Sequence, residues 1–207
     1  MLFVQDDIAD TLLHTLTGAM QELQLGDPGL LCTDIGPVID RVARDRLQAH
    51  IERMTKEAKL LARLSPPSNL SGYFVAPHLF EIEHLSQLNE EVFGPILHVI
   101  RYRAEALDEV IDQINACGYG LTLGIHSRIR GFAEQVFQRT QVGNTYINRN
   151  MVGAVVGCQP FGGCGLSGTG PKAGGPHYLT AFAIEKVRSE NITARGGNTA
   201  LFGLPDD

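Results

Sequence analysis

Apolar and polar positions fall into runs whose period changes along the chain, and each change marks an element. Residues 2–5 form a short apolar run that reads as a strand and leads directly into Asp6 and Asp7, two carboxylates suited to capping a helix start. Ile8, Leu12, Leu16 and Leu23 then recur at helical spacing, and Gly26-Asp27-Pro28 supplies the punctuation that ends a helix. A second helix is expected from Asp40 to about Ala58, with Val42, Leu47, Ile51 and Met54 on one side and arginine and lysine on the other. From Lys59 onward short β-type runs at 60–62, 73–75 and 96–102 give way to a helix over 105–116. A strand at about 121–126, a helix over 131–139 and a strand over 144–148 follow. This order predicts an α/β layer fold around a largely parallel or mixed sheet. Nine glycines then fall between Gly153 and Gly175, the main anomaly of the chain. Beyond them, residues 177–184 read as a short helix with His177 and Tyr178 packed under the glycine-rich loop. Residues 186–192 read as an extended segment before a glycine-rich tail that ends in Leu201-Phe202-Gly203-Leu204.

Composition narrows the function classes. The 207 residues are 43% hydrophobic and 19% charged, enough apolar surface to offset chain entropy around one core. A formal charge of -6 with scattered lysine and arginine lacks the footprint of a nucleic-acid binder, so no nucleic-acid partner is expected. No apolar run is long enough for a transmembrane segment and the N-terminus does not read as a signal peptide, so a cytoplasmic location is expected. Cys32, Cys117, Cys158 and Cys164 lack paired C-x-x-C spacing and are expected to be free, buried thiols, holding neither zinc nor disulfides. The seven histidines show no pair at metal-ligand spacing on one helix face, so no metal site is assigned. Asn191-Ile192-Thr193 has the pattern of a glycosylation acceptor, a chance match without a secretory signal.

The glycine-rich loop admits three readings, because glycine serves tight turns, close approach to a ligand and simple packing alike. A phosphate cradle finds only the pattern G-x-G-x-x-G over 163–168, without the strand and helix start that give it meaning. A better reading is that the main-chain amides around Gly153 and Ala154 face an anion, a carboxylate that small residues allow to approach. Phe161, within Gln159-Pro160-Phe161-Gly162-Gly163, is then either an apolar wall for the same ligand or an ordinary core residue.

Glu90-Glu91-Val92-Phe93-Gly94-Pro95 resembles the signature of the aldehyde dehydrogenase superfamily. Thr33-Asp34-Ile35-Gly36-Pro37, Asn115 with Tyr119-Gly120-Leu121, and residues 159–163 resemble further motifs of that family, in its order. More narrowly, residues 148–157 and 165–178 are similar to the glutamate-semialdehyde dehydrogenase module of the bacterial proline utilisation family. The resemblance implies the three-layer α/β sheet of the aldehyde dehydrogenase catalytic domain over 1–185, followed over 186–207 by an oligomerisation strand and C-terminal tail. It implies oxidation of glutamate semialdehyde to glutamate with NAD, through thiolate attack, hydride transfer and thioester hydrolysis. Glu91 matches the glutamate that accepts hydrogen bonds from the nicotinamide-side ribose, and Phe93 the residue beside the nicotinamide. Gly153 and Ala154 match the loop that holds the substrate carboxylate, and Phe161 the aromatic bracketing its methylenes.

The same resemblance places the nucleophilic cysteine, the general-base glutamate and the dinucleotide-binding domain before Leu2, so the expectation is a fragment without catalytic residues of its own. Neither Cys158 nor Cys164 has a histidine or lysine in sequence reach to activate it. The isolated chain is therefore expected to be inactive, to hold NAD weakly, and to form homo-oligomers through uncovered apolar surface and the 186–192 segment. The competing reading is a natural stand-alone, non-catalytic binding or assembly module of the same fold.

Overall fold

A computed structural model of the protein describes residues 1–65, 71–191 and 196. Its centre is a four-stranded sheet of β1 (Leu2–Gln5), β2 (Lys59–Arg63), β3 (His78–Glu81) and β4 (Ile96–Tyr102), in the order β1-β4-β3-β2. The pairs β1/β4 and β3/β4 are parallel, registering Leu2 on Val99 and His78 on Ile96, while β2 returns antiparallel to β3.

Successive side chains of a strand point to opposite faces, and here each face receives its own helix. Phe3, Phe80, Ile96 and Ile100 project toward α2 (Arg41–Glu57), joining Leu47, Ile51 and Met54. Val4, Leu79 and Val99 project toward α1 (Asp6–Gln21), joining Ala9 and Leu13. The result is three layers, helix on sheet on helix. At α2 the Asp40 carboxylate accepts the Ala43 N–H at 2.7 Å, an N-cap that satisfies one of the free donors of the first turn.

Two expectations about helix faces need correcting. On α1 the inward residues are Ala9, Leu13, Leu16 and Met20, whereas Ile8, Leu12 and Leu23 are exposed. The apolar residues of α1 cover more than one face, and the small Ala9 is the one that lets the helix approach the sheet. Asp6 and Asp7 lie in the first turn after the N-cap residue Gln5, so they act on the helix dipole and not as caps. On α2, Leu47, Ile51 and Met54 are buried as expected, but Val42 in the first turn is exposed. The run at 73–75 forms no strand; Val75 packs in the α2-side core as part of the approach to β3.

The second half is built on β6 (Thr122–Ile125) and β7 (Asn144–Ile147), paired in parallel, with α3 (Leu107–Ala116) and α4 (Arg130–Arg139) packed through Ile111, Ile125, Ala133 and Val136. Asn115, one of the motif residues, joins the ends of both helices: its amide donates to Arg139 O at 2.9 Å and its carbonyl accepts the Gln141 N–H at 2.8 Å. The strand expected at 121–126 is β6, and just before it β5 (Tyr119–Gly120) pairs antiparallel with β8 (Cys164–Gly165). The short helix near the end is one 3₁₀ turn, Leu179–Phe182. Residues 183–191 carry no hydrogen-bonded strand, and Ile192 and the tail 201–204 lie outside the described residues.

Candidate functional site

The loop that enters β4 carries the first pair of candidates. Gln87, closing the 3₁₀ turn Leu85–Gln87, accepts the Glu83 and His84 N–H groups at 2.8 and 3.1 Å and so fixes the start of the loop. Val92 packs into the α2-side core, and the Gly94 N–H closes a tight turn on Val92 O at 3.0 Å. Gly94 is needed there because a Cβ would lie 2.5 Å from Leu47 Cδ1, inside a buried side chain. Glu90 is held by Arg46 at 2.7 Å. The neighbours on either side of Val92 remain free: Glu91 is exposed without a hydrogen-bond or ion-pair partner among the described residues, and the Phe93 ring is 85% exposed. A ring this bare contributes little to the core and offers a flat apolar face to a ligand.

The second group follows β7. Asn148 takes a left-handed conformation, φ 54°, which asparagine tolerates better than most residues. Its side chain bridges to the end of β6, accepting Ser127 N–H and donating to Ser127 O, both at 2.9 Å. The next residue, Arg149, lies 4.6 Å above the Tyr146 ring and donates to Gln159 Oε1 at 3.4 Å. That same oxygen accepts the Val155 N–H at 3.2 Å, while the Cys158 and Gln159 N–H groups bond Val155 O. The 155–159 turn is thereby closed from both ends. Immediately before it, the main-chain amides of Gly153 and Ala154 are half-buried and donate to no acceptor among the described residues. A Cβ built at Gly153 meets nothing within 4 Å, so the side-chain side of this residue is open.

Phe161 is half-buried and belongs to none of the three core clusters. It forms a two-bond bridge with Ala173, 3.0 and 2.9 Å. An open groove of about 390 Å³ runs along β7, lined among others by Asn144, Tyr146, Arg149, Cys158 and Gln159. The Tyr146 hydroxyl is buried without a hydrogen-bond partner among the described residues.

Other expectations fall differently. The glycines of 163–168 open no helix: Gly163 and Gly168 approach so closely that a Cβ on Gly168 would lie 2.6 Å from Gly163 O, and Cys164 and Gly165 form β8. All four cysteines are free, yet Cys32, Cys158 and Cys164 are exposed instead of buried, because the segments carrying them are loops and a short edge strand. His177 and Tyr178 are exposed rather than packed under the loop; the Tyr178 ring meets Phe182, edge-on at 5.3 Å. No hydrogen bond among the described residues joins 91–93 to 153–161, which stand on different sheets. No group of three or more histidine, cysteine or acidic side chains that could hold a metal occurs among the described residues, and no helix there is long and apolar enough to cross a membrane.

Two groupings were invisible in the linear chain. His50 on α2 and His98 on β4 meet Nε2 to Nε2 at 2.9 Å, and burial pushes His98 down to about 4, with His50, the N-terminal amine and Arg53 acting in the same direction. Lys172, deep in the glycine-rich loop, reaches back to the start of β7. Its ammonium donates to Gly143 O and, at 3.1 Å, to Asn144 Oδ1. Nothing in their spacing, 48 and 28 residues apart, could have marked these pairs.

Residues 1–187 match the aldehyde dehydrogenase family. The bifunctional protein PutA of Escherichia coli K12 is 54% identical over 195 residues, covering 91% of this chain and 15% of its own. A 1-pyrroline-5-carboxylate dehydrogenase of Geobacillus sp. WCH70 is 36% identical over 189 residues, covering 90% of this chain and 36% of that enzyme. Among solved structures, proline utilization A of Bradyrhizobium japonicum, mutant D779W, superposes with a TM-score of 0.85 at 59% identity, over 89% of this chain and 19% of the other. The aldehyde dehydrogenase of Bacillus cereus in its NAD+ complex gives 0.73 at 28% identity, over 83% of this chain and 35% of that one. The chain thus spans about a seventh to about a third of the curated relatives it matches.

Proposed function

The chain belongs to the aldehyde dehydrogenase family, and from that premise we propose that it forms the substrate-holding and cofactor-facing walls of an NAD-dependent oxidation of L-glutamate γ-semialdehyde to glutamate, a step of proline breakdown. The observation that carries this reading is that the Gly153 and Ala154 amides donate to no acceptor among the described residues, in the same glycine-rich loop as Phe161 and in a chain 54% identical to PutA and 36% identical to a 1-pyrroline-5-carboxylate dehydrogenase.

In this reading the α-carboxylate of the substrate lies against the Gly153 and Ala154 N–H groups. Backbone amides whose side chains are absent or small bind an anion closely and require no rearrangement when it arrives. Phe161 lines the methylenes, so that the aldehyde end is held at a fixed distance from the carboxylate anchor. NAD, when bound, supplies the hydride acceptor. Glu91, an acceptor-only carboxylate with no partner of its own, fits a ribose diol, and the uncovered Phe93 ring fits the nicotinamide side.

None of the four cysteines is assigned as nucleophile, and by itself the chain holds NAD weakly and does not turn over. It works inside the cytoplasm as part of a homo-oligomer, with residues 1–185 as catalytic-domain walls and 186–207 as an oligomerisation strand and tail. The exposed side chains Leu179, Phe182, Ile184 and Val187 supply apolar area for that contact.

The test is a titration of the ¹⁵N-labelled chain with L-glutamate, the reaction product, and with 1,5-pentanediol, which lacks carboxylates. Shifts at Gly153 and Ala154 with glutamate alone are expected; equal shifts with both would remove the anion anchor. Incubation of the purified chain with 1-pyrroline-5-carboxylate and NAD is expected to give no NADH absorbance, and a sustained rise would overturn the assignment of walls without an attacker.

A further inference from the structure

Phe161 is gripped from both sides by one residue. The Asn144 side-chain amide donates to Pro160 O at 3.0 Å, and its carbonyl oxygen accepts the Gly162 N–H at 3.3 Å, so the residues before and after Phe161 are tied to the first position of β7. Lys172 adds a third tie. Its half-buried ammonium donates to the same Asn144 oxygen at 3.1 Å and to Gly143 O. Its main chain lies so close to Gly162 that a Cβ there would fall 3.3 Å from Lys172 Cα, and its neighbour Ala173 makes the bridge opposite Phe161. Gly143 allows the approach, since a Cβ on it would lie 1.9 Å from Gly162 O. An ammonium surrounded by neutral oxygens retains full hydrogen-bonding strength without the competing pull of a carboxylate.

We propose that Lys172 and Asn144 are positioning residues that hold Phe161 in one place relative to the Gly153 and Ala154 amides, and so set the length of carbon chain the site accepts. This inference rests on the reading of Phe161 as a substrate wall. Phe161 is the contact; Lys172 and Asn144 act through it. A side chain on a loop of this glycine content is otherwise free to shift by more than a methylene, and one misplaced methylene contact alone is worth roughly fourfold in affinity.

The experiment compares F161A, K172M, K172R and the double variant F161A/K172M in the full chain, with L-glutamate affinity read at the Gly153 and Ala154 amides and hydrogen exchange read at Phe161, Gly162 and Ala173. F161A and K172M are each expected to weaken glutamate roughly four- to tenfold, the double variant to bind as F161A does, and K172R to recover part of the loss. Exchange at the three loop amides should accelerate in K172M while β4 and β6 stay protected. Full additivity of the two substitutions, or unchanged loop exchange, overturns the proposal. If K172M does not fold, N144D carries the test, because it keeps an acceptor for Gly162 and Lys172 but replaces the donor to Pro160 O with a charged oxygen that repels it: faster exchange confined to Phe161 and Gly162 supports the proposal, and none overturns it. Loss of glutamate binding in F161A without any effect of K172M sinks the positioning pair and leaves the substrate wall standing. Faster loop exchange in K172M, with F161A binding glutamate normally, sinks the wall instead.

Discussion

Acidifying the chain from pH 7.5 to 5.0 probes the His50–His98 contact directly. His98 is 3% exposed, its ring stacked on Phe80 at 6.2 Å, and its Nε2 lies 2.9 Å from the Nε2 of His50, within hydrogen-bond reach. Protonating it would place a cation in the α2-side core facing His50 and Arg53, with Glu57 and Glu90 acting on the outer ring, His50. Its value falls from 6.5 in the unfolded chain to about 4 in the fold. The sign follows from proton uptake. Above pH 6.5 neither state is protonated at this site and the contribution is complete; between 6.5 and about 4 only the unfolded chain takes up the proton, so stability falls as the pH falls. The limiting slope is about 1.4 kcal/mol per pH unit, which gives a loss of about 2 kcal/mol by pH 5 and about 3 kcal/mol once the folded value is passed. Urea unfolding followed by circular dichroism at pH 7.5, 6.0 and 5.0 measures it, in the native chain and in H98L. The leucine variant should be less stable at pH 7.5 and lose about 2 kcal/mol less on acidification. Parallel losses in both chains would refute the reasoning and assign the acid sensitivity to other groups.

Other outcomes follow from single side chains. Y146F deletes a buried hydroxyl that has no partner among the described residues while keeping the ring under Arg149; it should be neutral or stabilise by about 1 kcal/mol in denaturant unfolding, and a clear loss would reveal a bond to that hydroxyl. D40A removes the cap on Ala43 and should cost about 1 kcal/mol, read from the urea midpoint. F80A empties the fully buried centre of the α2-side core and should cost about 3–5 kcal/mol, enough to leave the chain largely unfolded by circular dichroism. Light scattering at rising concentration should show self-association through the exposed apolar side chains, and a constant monomer mass would contradict it.

How much of this was readable in the chain depends on the range of the interaction. The elements β1, α2 and β4 appear nearly as the periodicity places them, because apolar spacing is a local signal. The α1 face was misread because Ile8 and Leu12 compete with Ala9 and Leu13, and apolar strength alone does not reveal which stripe meets a sheet. At the candidate site, the motif residues pointed to Glu91, Phe93, Gly153, Ala154 and Phe161, but the ties that hold them did not show. Lys172 sits among glycines and prolines and looks like a solvated loop cation; only the fold brings its ammonium to Gly143 and Asn144. The histidine pair is similar, since a helix and a strand 48 residues apart must first pack before the two rings touch.

Gly143 shows what such packing does to sequence freedom. Its obstruction is a peptide oxygen and not a movable side chain, so no rotamer change relieves it. In a saturation library of this position, selected for a folded chain, one letter alone should survive, while Gly131, with empty space around it, should accept most of the alphabet.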